Sequence, residues 1–182
     1  TDGGASWQRV LFVSDSTGVV DLVMRPDQPG TLFAAAWERI RRPAAYRYGG
    51  ITCGVYKSTD GGDTWALAGG GLPVPNVNLG RIGISLCAAQ PAVMHAIYAD
   101  RTGYFAGLWR TANGGTSWTR TTDGALSSVY SSYGWWFGNC RTHPTDPNQV
   151  FVLGLDFYRT TNGGASWSET SGGMHVDHHA LE

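Results

Sequence analysis

The sequence predicts an all-β protein: a β-propeller of four-stranded antiparallel blades, with about three blades present. Three observations carry that expectation. A short pattern (Asp or Asn, Gly, Gly, any residue, Ser or Thr, Trp) occurs four times, ending at Trp7, Trp65, Trp118 and Trp167. These tryptophans lie 58, 53 and 49 residues apart, and a period near 50 holding about four short strands is that of propeller blades. Glycine is abundant at 26 residues while charged residues make up only 15%, which suits many short strands joined by tight turns and is far from a disordered composition.

Alternation of apolar and polar residues places the strands. After Trp7 a strand is expected over 8–13, then a loop over 14–18 and an innermost strand over 19–24. A second strand covers 31–37, a long loop 38–53, and a third strand 54–58. The repeated turn then reverses the chain into a fourth strand over 65–68. The same order recurs over 81–88, 93–99, 107–111 and 118–121, and again over 136–142, 149–154, 157–160 and 167–170. The blades therefore run over about 19–68, 81–121 and 136–170 within a single domain, 1–182. Pro29, Pro91 and Pro147 recur between first and second strands, where the ladder has ended and a fixed φ is tolerated. The segment 175–181 reads as the start of a fourth blade, and Thr1 already lies inside a repeated turn. The sequence thus reads as part of a longer propeller. Propellers close with about 4–8 blades, so the remaining blades or a second copy are expected to close the ring.

The repeated pattern has a structural logic. Asp2, Asp60, Asn113 and Asn162 can accept hydrogen bonds from nearby backbone N–H groups, as in an Asx-turn. The paired glycines, ending in Gly62, Gly115 and Gly164, allow positive φ where the chain folds back. The hydroxyls of Ser6, Thr64, Ser117 and Ser166 can tie the turn to itself. Each tryptophan then enters the strand and is expected to bury a large apolar face between sheets. Two of the four copies carry Asn, which rules out a required negative charge there.

Composition excludes several function classes. A formal net charge of −1 leaves no basic stripe for nucleic acid. No apolar run approaches the roughly 20 residues that span a bilayer, and no leader peptide is visible. Cys53, Cys87 and Cys140 show no C-x-x-C spacing, and Cys140 takes a strand position filled by Leu22 and Ile84 in the other repeats, that of a small buried hydrophobe. H-E-x-x-H, G-x-S-x-G and P-loop motifs are missing, so no cofactor is called for.

Unusual residues concentrate on loops at the end of the blades opposite the repeated turns. The loop after Trp37 carries Glu38, Arg39, Arg41, Arg42, Tyr46, Arg47 and Tyr48; the next has Asp100, Arg101 and Tyr104; the connection into the last blade has Tyr133, Trp135 and Trp136. Aromatic faces beside arginine forks suit sugar rings, so Trp37, Arg39, Tyr46, Tyr48, Tyr104, Trp135 and Trp136 are candidate ligand-binding residues. Packing of the loops on one another is the competing reading. Glycoside hydrolysis needs two carboxyl groups about 5–9.5 Å apart, and Glu38, Asp100 and Asp177 are the candidates on this face. Asp15 and Asp156 lie there too, the latter in a tight turn where Asp is expected anyway. His175, Asp177 and His179 would share one face of a strand and form a candidate metal set, with a hydrogen-bonding network as the alternative.

The four repeated turns resemble the Asp-box, or BNR repeat, of β-propellers such as sialidases, xyloglucanases and sortilin-type domains. The phrases at 37–43, 54–58, 80–84 and 175–181 are similar to a bacterial subset described as BNR-repeat glycosyl hydrolases or sortilin-like proteins. In that family the turn sits on the outer rim, away from the ligand. The resemblance implies an extracellular or periplasmic carbohydrate-active propeller that acts on or binds polysaccharide. Its alternative is a non-catalytic, sortilin-like scaffold holding a protein or peptide. Whether the chain is an enzyme stays open at this point. Sialidases draw their arginines from separate blades, whereas Arg39, Arg41, Arg42 and Arg47 crowd one loop, which disfavours a sialidase.

Overall fold

The computed structural model describes residues 2–181. It is all-β, and its strands form three four-stranded antiparallel sheets. The first sheet orders β1 (Thr17–Met24), β2 (Leu32–Glu38), β5 (Gly54–Ser58) and β6 (Ala66–Leu67) side by side. The second orders β7 (Leu79–Cys87), β8 (Gln90–Asp100), β9 (Phe105–Thr111) and β10 (Thr119–Arg120). The third orders β11 (Asn139–Thr142), β12 (Val150–Leu153), β13 (Phe157–Thr160) and β14 (Ser168–Glu169). One 3₁₀ turn, Gly124–Leu126, lies in the connection between the second and third sheets.

Alternation in each strand feeds two cores, one on either side of the second sheet. In the first, Phe33, Ala35, Trp37 and Val55 meet Ile82, Ile84, Met94, Ala96 and Tyr98. On the opposite face, Ile97, Ala99 and Leu108 meet Cys140, Val150, Val152 and Tyr158. A fully buried Ile, Leu or Phe contributes about 1.5–3 kcal/mol, so these inter-sheet layers supply much of the cohesion. Polar links add register between innermost strands: Ile84 N donates to Asp21 Oδ2 at 2.9 Å, and Thr142 N donates to Ser85 Oγ at 2.7 Å. The far side of the first sheet stays open, with Leu22 and Met24 more than half exposed.

Four local expectations are corrected. Residues 8–13 form no ladder and are mostly exposed. The 38–53 loop contains a hairpin, β3 (Ile40–Arg42) with β4 (Ala45–Arg47), turning at Pro43–Ala44. The segment 175–181 is not a strand; it hydrogen-bonds the end of the third sheet through Asp177 N to Leu155 O and His178 N to Gly154 O. The repeated tryptophans are not equally buried either. Trp118 packs edge-on against Phe33 at 6.4 Å and is 5% exposed, whereas Trp7, on the unpaired segment, is 91% exposed.

Candidate functional site

The repeated turns define one rim by elimination. In each internal copy the residue before the pair of glycines ties the turn together. Thr64 N donates to Asp60 Oδ1 at 2.9 Å, Ser117 N to Asn113 Oδ1 at 2.9 Å, and Ser166 N to Asn162 Oδ1 at 2.9 Å. Hydroxyls from the preceding strand complete the knot: Gly62 N donates to Ser58 Oγ, Gly115 N to Thr111 Oγ1 and Gly164 N to Thr160 Oγ1, at 2.9–3.1 Å. The Asp/Asn exchange is absorbed by one hydroxyl. Thr64 donates to the Asp60 carboxylate, while Ser117 and Ser166 accept from Asn113 and Asn162 Nδ2 at 2.8 Å. The Thr64 hydroxyl is the main reason the Asp60 carboxyl is held well below the usual carboxylate range. Asp2 repeats this pattern, with Ser6 Oγ donating at 2.6 Å. The side chains of Asp60, Asn113 and Asn162 are engaged within their own turns, which marks these turns as architecture rather than a ligand site. Bonds from Gly61, Gly114 and Gly163 N to Gly30, Ala92 and Asn148 O fasten these turns to the connections between first and second strands.

The opposite end carries a continuous run of aromatic rings. Trp37, at the end of β2, donates its indole N–H to Tyr48 O at 2.7 Å. Tyr48 stacks on Trp135 with centroids 4.8 Å apart and planes 11° apart, and Tyr46 stacks on Tyr48 at 5.8 Å. Trp136 meets Trp135 edge-on at 5.8 Å, and His179 stacks on Phe137 at 4.8 Å. Aromatic pairs in such geometries contribute about 0.5–1.5 kcal/mol each beyond their burial. Arg81 holds the run from below: its Nη1 donates to Trp136 O at 3.0 Å and Trp135 O at 3.4 Å, and its guanidinium lies 5.6 Å from the Trp37 ring. Burial lowers the Arg81 pKa. Ser131 and Asp177, the non-glycine residues with positive φ among the described residues, both flank this run.

Two clefts open on the aromatic run and share Trp135. One, of about 550 Å³, is walled by Tyr46, Tyr48 and Trp135 and faced by Arg47, Arg101, Thr102 and Ser132. The other, of about 520 Å³, has Tyr133, Trp135, Trp136, Phe137 and Leu155 as its apolar wall and Arg41 and Asp177 as its charges. A polar depression also lies among the Asn113 and Asn162 turns, but it has no aromatic wall.

Of the candidate ligand residues, Tyr46, Tyr48, Trp135 and Trp136 come together in the run, with Trp37 supporting Tyr48 and Arg39 lying 5.2 Å over the Trp37 ring. Tyr104 is exposed and lines neither cleft. The three candidate carboxylates do not meet. Glu38 is buried beneath the hairpin: its Oε2 accepts from Thr52 N and Oγ1, and its Oε1 holds Arg47 Nη2 at 3.1 Å. A Cβ on Gly50 would overlap that carboxylate, so the glycine makes room for it. Asp100 closes its own turn through Thr102 N, Thr102 Oγ1 and Tyr104 N at 2.7–3.0 Å. Asp177 alone reaches a cleft. The metal set also fails to form. His175 Nδ1 turns to Val176 O at 2.6 Å, the positive φ of Asp177 breaks strand alternation, and His179 is committed to Phe137 and to Trp136 Nε1. Among the described residues no cluster of three His, Cys, Asp or Glu is placed to hold an ion.

Sequence reasoning overlooked Phe137, Leu155, Ser132 and the bracing role of Arg81. Arg81 carried a usable signal: it is the one charged residue in the sequence of β7. Among the described residues no helix is long and apolar enough to cross a membrane.

No family's sequence profile matches the chain, and no curated protein matches it in sequence. Solved structures do resemble it. The GH74 xyloglucanase from Xanthomonas campestris is 20% identical over 90% of this chain and 23% of its own, with a TM-score of 0.63. The GH74 enzyme from Niastella koreensis is 20% identical over 92% of this chain and 25% of its own, with a TM-score of 0.61. YCF48 bound to D1 peptide is 14% identical over 85% of this chain and 40% of its own, with a TM-score of 0.55. The chain thus spans well under half the length of the proteins it resembles. At these identities the likeness is one of fold: four-stranded antiparallel sheets that match part of a β-propeller.

Proposed function

We propose that this chain is a partial Asp-box propeller domain whose aromatic end binds polysaccharide outside the cytoplasm, as part of a carbohydrate-active protein. The observation that carries the reading is the Tyr46–Tyr48–Trp135 stack opening on two clefts. Rigid aromatic faces offer apolar area to a sugar ring at little entropic cost, and the arginine and hydroxyl groups at the margins supply directional bonds. Likeness to two GH74 enzymes, one described as a xyloglucanase, agrees with a polysaccharide ligand. The role is binding rather than hydrolysis by this chain, because neither cleft is lined by two carboxylates among the described residues. Further blades or a second copy complete the ring, and they would cover the open apolar side of the first sheet.

The second reading, a sortilin-like scaffold for a peptide, is favoured by one observation: the similarity to YCF48, which is described as bound to a peptide. A glycan array combined with a reducing-sugar release assay separates the readings. Binding of polysaccharide without release is the expected result. A blank array, with retention of peptides from a library, would replace the carbohydrate reading by the scaffold.

A further inference from the structure

The β3–β4 hairpin is the most cationic stretch of a chain whose formal net charge is −1. Arg39, Arg41, Arg42 and Arg47 are all exposed along it. The hairpin stands between the two clefts. Its register pairs Arg41 with Tyr46 and Ile40 with Arg47, and Arg41 lines one cleft while Arg47 lines the other. In the Arg47 cleft a second arginine, Arg101, arrives from the β8–β9 connection. No carboxylate lines that cleft among the described residues. Just outside the lining, Asp100, next to Arg101, closes its own turn by accepting from Thr102 N and Oγ1, and the buried Glu38 takes one nitrogen of Arg47, Nη2. This fixes the guanidinium while its side chain stays 48% exposed, with other N–H groups left to donate. Arg101 has no ion-pair partner among the described residues. The cleft is therefore lined by two arginines, Thr102 and Ser132 beside an aromatic wall, with no carboxylate in its lining among the described residues.

We propose that this cleft selects acidic oligosaccharides. A sugar ring rests on the Tyr46–Tyr48–Trp135 wall, and its anionic substituent is held between Arg47 and Arg101. The inference rests on the carbohydrate reading above and adds to it the charge of the ligand. Guanidinium forks match planar carboxylates through two parallel N–H···O bonds, and they also serve sulfate, so the shared chemistry is an anionic group on a sugar. Two arginines lining a cleft with no carboxylate in its lining suit an anionic sugar better than a neutral one, because an ionised acceptor strengthens each N–H···O bond.

Calorimetric titration of the full chain tests this with three ligands: oligogalacturonate carrying carboxylates, heparin oligosaccharide carrying sulfates, and neutral xyloglucan oligosaccharide. The expected result is at least one acidic ligand binding about tenfold or more tightly than the neutral one. Arg101→Gln should weaken acidic binding by about tenfold and leave neutral binding as it was. Arg42→Gln, an exposed hairpin arginine that lines neither cleft, is the control and should leave both unchanged. The fold of each variant is checked by its urea midpoint. Equal affinity for acidic and neutral ligands would overturn the charge selection while the carbohydrate reading stood. Equal losses in Arg42→Gln and Arg101→Gln would also overturn it, since a diffuse field rather than a site would then be at work. Failure of all three ligands to bind would remove both readings together. Whichever acidic ligand responds to Arg101→Gln identifies the anion as carboxylate or sulfate.

Discussion

Replacing Gly115 by Ala isolates what the repeated turns do between sheets. Gly115 has φ 78° and Gly61 has φ 80°, so alanine at either position pays the same left-handed backbone penalty, about 1–2 kcal/mol. Their surroundings differ. A Cβ on Gly61 meets nothing within 4 Å, whereas one on Gly115 would lie 2.6 Å from Phe33 Cζ and 2.7 Å from Cε1. Phe33 belongs to the first sheet and is fully buried, so its ring cannot swing into solvent. Overpacking of this kind costs about 1–3 kcal/mol. Gly115→Ala is therefore expected to lose about 2–5 kcal/mol and Gly61→Ala about 1–2 kcal/mol. Urea denaturation followed by tryptophan fluorescence reads both, with an unchanged m-value required for the comparison. Equal losses in the two variants would refute the argument, because the turn of the second sheet would then not be docked against the first.

Three other outcomes follow from the same contacts. His95 is fully buried, with Nδ1 bonded to Thr142 Oγ1 at 2.9 Å and Nε2 unpartnered, and burial pulls its pKa down from 6.5 to about 3. Below pH 6.5 the unfolded chain takes up a proton that the folded chain refuses, so stability falls as pH drops through that window. The loss is about 2 kcal/mol between pH 7 and 5, and His95→Gln should flatten it in urea titrations. Asp60→Asn should leave the urea midpoint unchanged, because Asn113 and Asn162 already make the equivalent turn bonds, whereas Asp60→Ala should lower it. Arg81→Lys keeps a cation near Trp37 but loses the reach to the Trp135 and Trp136 carbonyls. It should weaken the near-UV circular dichroism of the aromatic run and reduce glycan affinity several-fold, with far-UV circular dichroism unchanged.

The repeated turn made the sheets legible. A motif that consumes its own polar groups at a fixed place in each repeat marks the third-to-fourth strand reversal wherever it occurs, and the rest of each sheet follows by counting back. The apolar alternation of 54–58 and 157–160 was strong enough to give those strands their observed bounds. Alternation failed where charge hid it. The hairpin at 40–47 reads Ile-Arg-Arg-Pro-Ala-Ala-Tyr-Arg, with no apolar alternation to report a strand, because its residues are largely exposed. It also misled at 175–181, where His, Asp and His alternate but no neighbouring strand offers a ladder, so the chain bends over the third sheet instead. Candidate residues could be assigned to the right end of the molecule, yet their pairing could not be read. Tyr48 and Trp135 stack only because the sheets pack face to face, and no local pattern encodes that distance.

That dependence on packing also explains why the aromatic end cannot be treated as a detachable loop cluster. Trp37 and Tyr48 belong to the first sheet and its insertion, Arg81 to the innermost strand of the second, and Trp135 to the connection that enters the third. Arg81 joins all three by reaching the Trp37 ring and the carbonyls of Trp135 and Trp136. The Trp37 indole N–H in turn fixes the backbone beneath the Tyr48 ring. A ligand on the Tyr48–Trp135 wall must therefore bind the packed arrangement of sheets and not the separated one. By mass action it stabilises that packing, by about 2.7 kcal/mol at a hundredfold excess over its Kd. On the proposed reading, the wall that takes the ligand is also a place where the three sheets meet, and a loss of packing around Arg81 is expected to register as a loss of affinity.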